Sequence, residues 1–81
     1  MAAKLIVSYD KVGDILHIDK CHPYTGQDAE LLEDEIVARF NPDTDEVENL
    51  EILWFLKRLE AGEDVVLPLD AHLRLAVEAY R

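Results

Sequence analysis

The stretch D-K-V-G-D-I-L-H-I-D, residues 10–19, decides how this chain is read. Asp14, His17 and Asp19, with Cys21 and His22 just beyond, have the composition of a reactive or metal-binding segment. Their order, however, is that of a turn inside a β-hairpin. Asp10 at the first position and Gly13 at the fourth suit a type I turn, after which Gly13 can take positive φ. Before the turn, Leu5, Val7 and Tyr9 alternate with Lys4, Ile6 and Ser8. After it, Leu16 and Ile18 alternate with Ile15, His17 and Asp19. A period of two with β-branched content predicts two paired strands.

Working outward, residues 20–34 (K-C-H-P-Y-T-G-Q-D-A-E-L-L-E-D) read as a connection carrying Pro23 and Gly26. Strand content resumes over residues 35–40, where Ile36, Ala38 and Phe40 share a face. Asn41-Pro42 opens another turn. Residues 47–53 read as a fourth strand with Leu50 and Ile52 inward. The period then changes: Ile52, Phe55, Leu56 and Leu59 follow helical spacing, with Lys57, Arg58 and Glu60 elsewhere and Gly62 at a C-cap position. V-V-L-P-L, residues 65–69, is apolar throughout, and Pro68 restricts it to an edge strand or extended segment. Asp70 can cap a last helix in which Leu69, Leu73, Ala76 or Val77, and Tyr80 align, with His72 exposed in its first turn. The expected fold is α+β: two β-hairpins making a small antiparallel sheet of four strands, then a short helix, an extended apolar segment and a C-terminal helix.

Eighty-one residues make a single domain, 1–81, with a thin core. Hydrophobic residues are 49% of the chain, with three Gly and three Pro, which is globular composition. No apolar run approaches a membrane span, and Met1-Ala2-Ala3-Lys4 leads straight into strand-like sequence, so no signal-peptide apolar region is expected there. The single cysteine, Cys21, excludes an internal disulfide and fits a reducing, cytoplasmic setting. The net charge of −10 is local: residues 28–51 hold ten acids and one base, Arg39. Such a field repels phosphate backbones, so no direct nucleic-acid contact is expected, and it attracts a basic protein.

V-S-Y-D-K-V-G-D-I-L-H-I-D followed by D-E-I-V-A-R-F-N-P-D-T-D-E-V-E-N-L-E-I-L resembles a small bacterial family, domain of unknown function 2283. The matching positions are Tyr9, Asp10, Asp14, Leu16, Ile18, Ile36, Val37, Leu50, Glu51 and Ile52. The likeness spans roughly residues 4–60, and 61–81 extend beyond the short forms. Glu46 and Asn49 stand where the family usually has glycine, and His17 where it has tyrosine. The resemblance implies the hairpin fold and no activity. Some members are similar in size to antitoxins of toxin–antitoxin pairs.

Several constellations compete for chemistry. His17, Cys21 and His22 could ligate a transition metal or a small ligand, but H-x-x-x-C-H lacks the paired spacing of a zinc site. Cys21 beside His22 has no third orienting group, which argues against a thiolate nucleophile. Asn41, Asp43 and Asp45 imitate a calcium loop, yet Glu46 replaces its glycine and Ile52 its final glutamate. Glu33, Asp34 and Glu35 read as a solvated loop. No phosphate loop, nucleophile elbow or H-E-x-x-H occurs, and no cofactor is implied. The expectation is a non-catalytic interaction module. It self-associates as a dimer through Trp54, Phe55, Val66 and Leu67, and presents Asp43, Asp45, Glu46 and Glu48 to a basic partner, as an antitoxin would. The alternative is a metal- or small-ligand-binding protein built on His17, Cys21 and His22.

Overall fold

The structure, a computed structural model, describes residues 4–76. It holds five strands: β1 (Ile6–Asp10), β2 (Ile15–Asp19), β3 (Asp28–Leu32), β4 (Ile36–Phe40) and β5 (Val47–Leu53). One short helix, α1 (Phe55–Glu60), follows. The strands form one antiparallel sheet in the order β1-β2-β5-β4-β3. The two expected hairpins, β1–β2 and β4–β5, are both present, joined through β2 and β5.

Residues directly opposite one another share a face, so the register defines the core. One row runs Tyr9, Leu16, Ile52, Ile36, Leu32; the next runs Val7, Ile18, Leu50, Ala38, Glu30. Ile36, Ala38, Leu50 and Ile52 at the sheet centre are buried, and Phe55, Val65 and Leu67 pack over them. Each of the three large side chains there contributes about 1.5–3 kcal/mol of burial. The reverse face is polar, with rows Ser8, His17, Glu51, Val37, Leu31 and Ile6, Asp19, Asn49, Arg39, Ala29.

Four expectations need correction. First, the sheet has five strands, because D-A-E-L-L, expected to lie in a connection, is β3. Asp and Ala are poor strand formers, and the turn that pairs β3 with β4 uses no glycine. Asp34 and Glu35 both take positive φ (61° and 56°) in the three-residue loop Glu33–Glu35. Second, in the β1–β2 turn the left-handed residue is Asp14 (φ 57°), not Gly13. At Gly13 an added Cβ would lie 2.9 Å from Asp10 Oδ2 and 3.1 Å from Ile15 Cδ1, both side-chain ends that can shift. Third, α1 buries Arg58 rather than Leu56 and Leu59, which stay exposed. Fourth, no helix forms over residues 69–76, which run irregularly. Val77 and Tyr80 lie outside the described residues. Residues 65–69 do not join the sheet, and Leu69 N–H donates to Leu67 O at 2.8 Å in a tight turn around Pro68.

Candidate interaction surface

The two outer strands differ in what they offer. β3 carries Asp28 and Glu30, and its turn adds Glu33, Asp34 and Glu35, so residues 28–35 hold five acids and no base. Charged edge strands repel further pairing. β1 has no such protection. All five of its residues are exposed, and residues 4–11 hold Lys4, Asp10 and Lys11. The apolar core rows therefore run out into solvent on this strand: Val7 is 61% and Leu5, just before it, 56% exposed. Beside Leu5 and Ile18 a groove of about 1170 Å³ opens between the sheet and Leu67, Leu69 and Leu73 of the irregular segment.

The D-K-V-G-D turn holds β1 to the rest of the fold. Asp10 Oδ1 accepts from Val12 N–H (3.0 Å) and Gly13 N–H (3.2 Å), closing the turn. Asp14 Oδ1 accepts from Tyr9 O–H and from Leu56 N–H, both at 2.7 Å, and Asp14 O accepts from Phe55 N–H at 3.1 Å. A hairpin carboxylate thus caps a helix 42 residues away in sequence, which α1 needs because its own N-cap, Trp54, supplies no oxygen. The Tyr9 hydrogen bond and the Leu56 amide hold the Asp14 carboxyl below its ordinary value; the same bond raises the Tyr9 phenol. Tyr9 also packs on Phe55, with ring centroids 6.1 Å apart.

On the reverse face, Asn49 is 2% exposed and fully engaged. Its amide donates to Asp19 Oδ1 (2.9 Å) and Cys21 O (2.6 Å), and its oxygen accepts from Gln27 Nε2 (2.7 Å). The neighbouring Glu48 is the extra residue of a bulge, since Phe40 faces Val47 while Arg39 faces Asn49. Its carboxylate accepts from Tyr24 O–H (2.5 Å), Gln27 Nε2 (3.1 Å) and Asn41 Nδ2 (3.4 Å). The bond from Tyr24 is the main cause that lowers the Glu48 pKa and pushes Tyr24 up to about 12. Residues 20–27 are thereby tied to β5. At the other end of the sheet, Arg58 donates to Leu53 O (2.8 Å), Asp34 Oδ2 (2.8 Å) and Asp34 O, pinning the left-handed turn between β3 and β4.

The residues singled out from sequence are distributed as follows. Asp43 and Asp45 are exposed in the β4–β5 turn, where Asn41 Oδ1 accepts from Asp43 N–H (2.9 Å) and Thr44 N–H (3.2 Å). Glu46 is exposed and paired with Lys20. Glu48 is half-buried and used internally. Trp54 is exposed, with Lys57 Nζ 5.0 Å from its ring centroid. Phe55 and Leu67 pack on the core, whereas Val66 is 74% exposed. His17 is half-buried between Ser8 and Glu51 of the adjacent strands, Cys21 is half-buried and His22 exposed. Among the described residues, no group of three or more His, Cys, Asp or Glu side chains is placed to hold a metal ion. Nor is any helix among them long and apolar enough to cross a membrane. The β1 edge was missed as a surface, although K-L-I-V-S-Y was legible as a strand with no proline and no internal charge.

Comparison of the chain with protein families, with curated proteins and with solved structures finds no match.

Proposed function

We propose that this protein is a non-catalytic interaction module that associates with a second copy of itself. One observation carries this reading: apolar side chains on the core side of the sheet, Leu5, Val7 and Tyr9, continue onto an exposed edge strand that carries no charge between Lys4 and Asp10. A contiguous apolar surface on so small a domain is a contact surface. Sedimentation velocity over a dilution series tests it. A dimer that dissociates on dilution is expected, and a chain that stays monomeric at its highest soluble concentration overturns the reading.

A second role is favoured by the acids of residues 28–35, exposed along the far edge with Asp43 and Asp45. That edge suits a basic protein partner, as an antitoxin-like role requires, and it is the surface left over once β1 is occupied. Binding of such a partner captured from the protein's own host is expected to weaken as salt is raised. Reversing Asp28 and Glu30 is expected to slow association, and indifference to both changes would remove the role.

A further inference from the structure

Resting on the self-association just proposed, we infer that the two copies join edge to edge. In this arrangement β1 runs antiparallel to β1 of its partner, with the two-fold axis at Val7, giving one continuous sheet of ten strands. The choice of edge follows from charge. Residues 4–11 carry two bases and one acid, whereas residues 28–35 carry five acids and no base, so two β3 edges repel while two β1 edges do not. With the core faces on one side, pairing β1 with the partner's β3 would set carboxylates beside the apolar row, and would extend without closing.

The register follows from parity and composition. A two-fold axis perpendicular to the sheet keeps each face on its own side, so it must pass through a residue position, and directly opposite side chains share a face. Centred on Val7, the pairing sets Val7 against the partner's Val7, Leu5 against the partner's Tyr9 and Ile6 against the partner's Ser8. It also sets Lys4 against the partner's Asp10, twice. Centred on Ser8, it would set Ile6 against the partner's Asp10 and Leu5 against the partner's Lys11. Centred on Ile6, it would set Lys4 against the partner's Ser8 and leave Asp10 without a base. Of these three registers, only that at Val7 both pairs the core-face apolar residues with one another and sets base against acid. Asp10 keeps its turn role here, because the turn uses Oδ1 and leaves Oδ2 without an assigned hydrogen bond.

Disulfide trapping tests the register. In a Cys21→Ser background, single cysteines replace Leu5, Ile6, Val7 or Ser8, all of them exposed positions whose replacement leaves the core intact. Across a two-fold axis at Val7, the Val7→Cys sulfurs meet at the ~4.5–5.5 Å Cα spacing a disulfide accepts, while Ile6→Cys and Ser8→Cys sit on the longer diagonals. Val7→Cys is expected to form covalent dimer fastest. Lys4→Glu places like charges opposite one another twice and is expected to weaken the dimer about tenfold. A dimer that traps best at another position, or at none, overturns the register and leaves self-association standing. An untreated chain that sediments as a monomer overturns both.

Discussion

Asn49→Ala should be the most damaging small substitution on the polar face, and its cost can be worked from the contacts. The side chain is 2% exposed and makes three hydrogen bonds, to Asp19, Cys21 and Gln27. At about 1 kcal/mol each, with the bond to the Asp19 carboxylate stronger, the loss is about 3–4 kcal/mol. A domain of this size has only about 4–12 kcal/mol in total. Each kcal/mol lowers the melting temperature by about 4–8 °C, so a fall of at least 12 °C is expected by circular dichroism. Asn49→Asp sharpens the test. It replaces an amide donor with a carboxylate facing Asp19 and the Cys21 carbonyl, so burial and repulsion raise the folded pKa of the pair. A group whose folded pKa is raised binds its proton more tightly when folded, so this variant should gain stability as pH falls from about 7 to 5. A melting-temperature loss under about 4 °C for Asn49→Ala would refute the view that Asn49 is a main tie of residues 20–27 to the sheet.

Other expectations follow from the remaining nodes. Arg58→Ala removes the guanidinium that holds Asp34 and the Leu53 carbonyl, and is expected to cost about 2–4 kcal/mol in chemical denaturation. Arg58→Lys, which cannot reproduce the three contacts, should recover only part of that loss. Asp14 has a lowered folded pKa, so its contribution is present above the ordinary carboxylate range and is lost as pH falls through the folded value. Asp14→Asn should flatten that acid limb of the stability curve, and an unchanged limb would remove Asp14 as its source. Tyr24→Phe deletes the main hydrogen bond holding the Glu48 pKa down, so carboxyl NMR titration should show Glu48 moving up toward its ordinary value. A Glu48 pKa that stays put would place the cause elsewhere.

The central sheet was legible because its residues obey both relevant rules. Ile36, Ala38, Leu50 and Ile52 alternate, and the turns before β2 and β5 begin with Asp10 and Asn41, whose side chains accept the amides two and three residues on. β3 was illegible for the opposite reason. D-A-E-L-L has neither propensity nor pattern, and it is a strand because β4 templates it and Arg58 fixes the turn between them. The same guanidinium misdirected the helix reading: spacing put Leu56 and Leu59 inward, but a six-residue helix turns only one short arc toward the sheet, and Phe55 and Arg58 occupy it. Of the surface residues chosen from sequence, Glu48 counted as a solvated acid only while its bulge was unseen. The role of Asp14 as a distant cap was likewise hidden, since no local spacing links residue 14 to the amide of residue 56.

Salt dependence separates the edge-to-edge dimer from the other arrangement the exposed apolar surface would permit, two copies packed face to face through Leu5 and Val7. Strands lie about 4.8 Å apart, so joining two five-stranded sheets at β1 leaves the acidic β3 edges nine spacings, about 43 Å, from each other. That is more than four Debye lengths at about 0.15 M salt, where the screening length is ~8 Å. Copies packed face to face sit much closer than that, which brings part of the −10 charge of each chain to within about one to two screening lengths of the other. A face-to-face dimer must therefore tighten as salt rises. In the edge-to-edge dimer the distant acids add little, and the Lys4–Asp10 pairs weaken slightly with screening. The dimer constant measured by sedimentation between about 0.05 and 0.5 M salt is expected to change by only a few-fold, and to weaken. Strong tightening over that range would mean that the acidic edges meet, and would rule out pairing through β1.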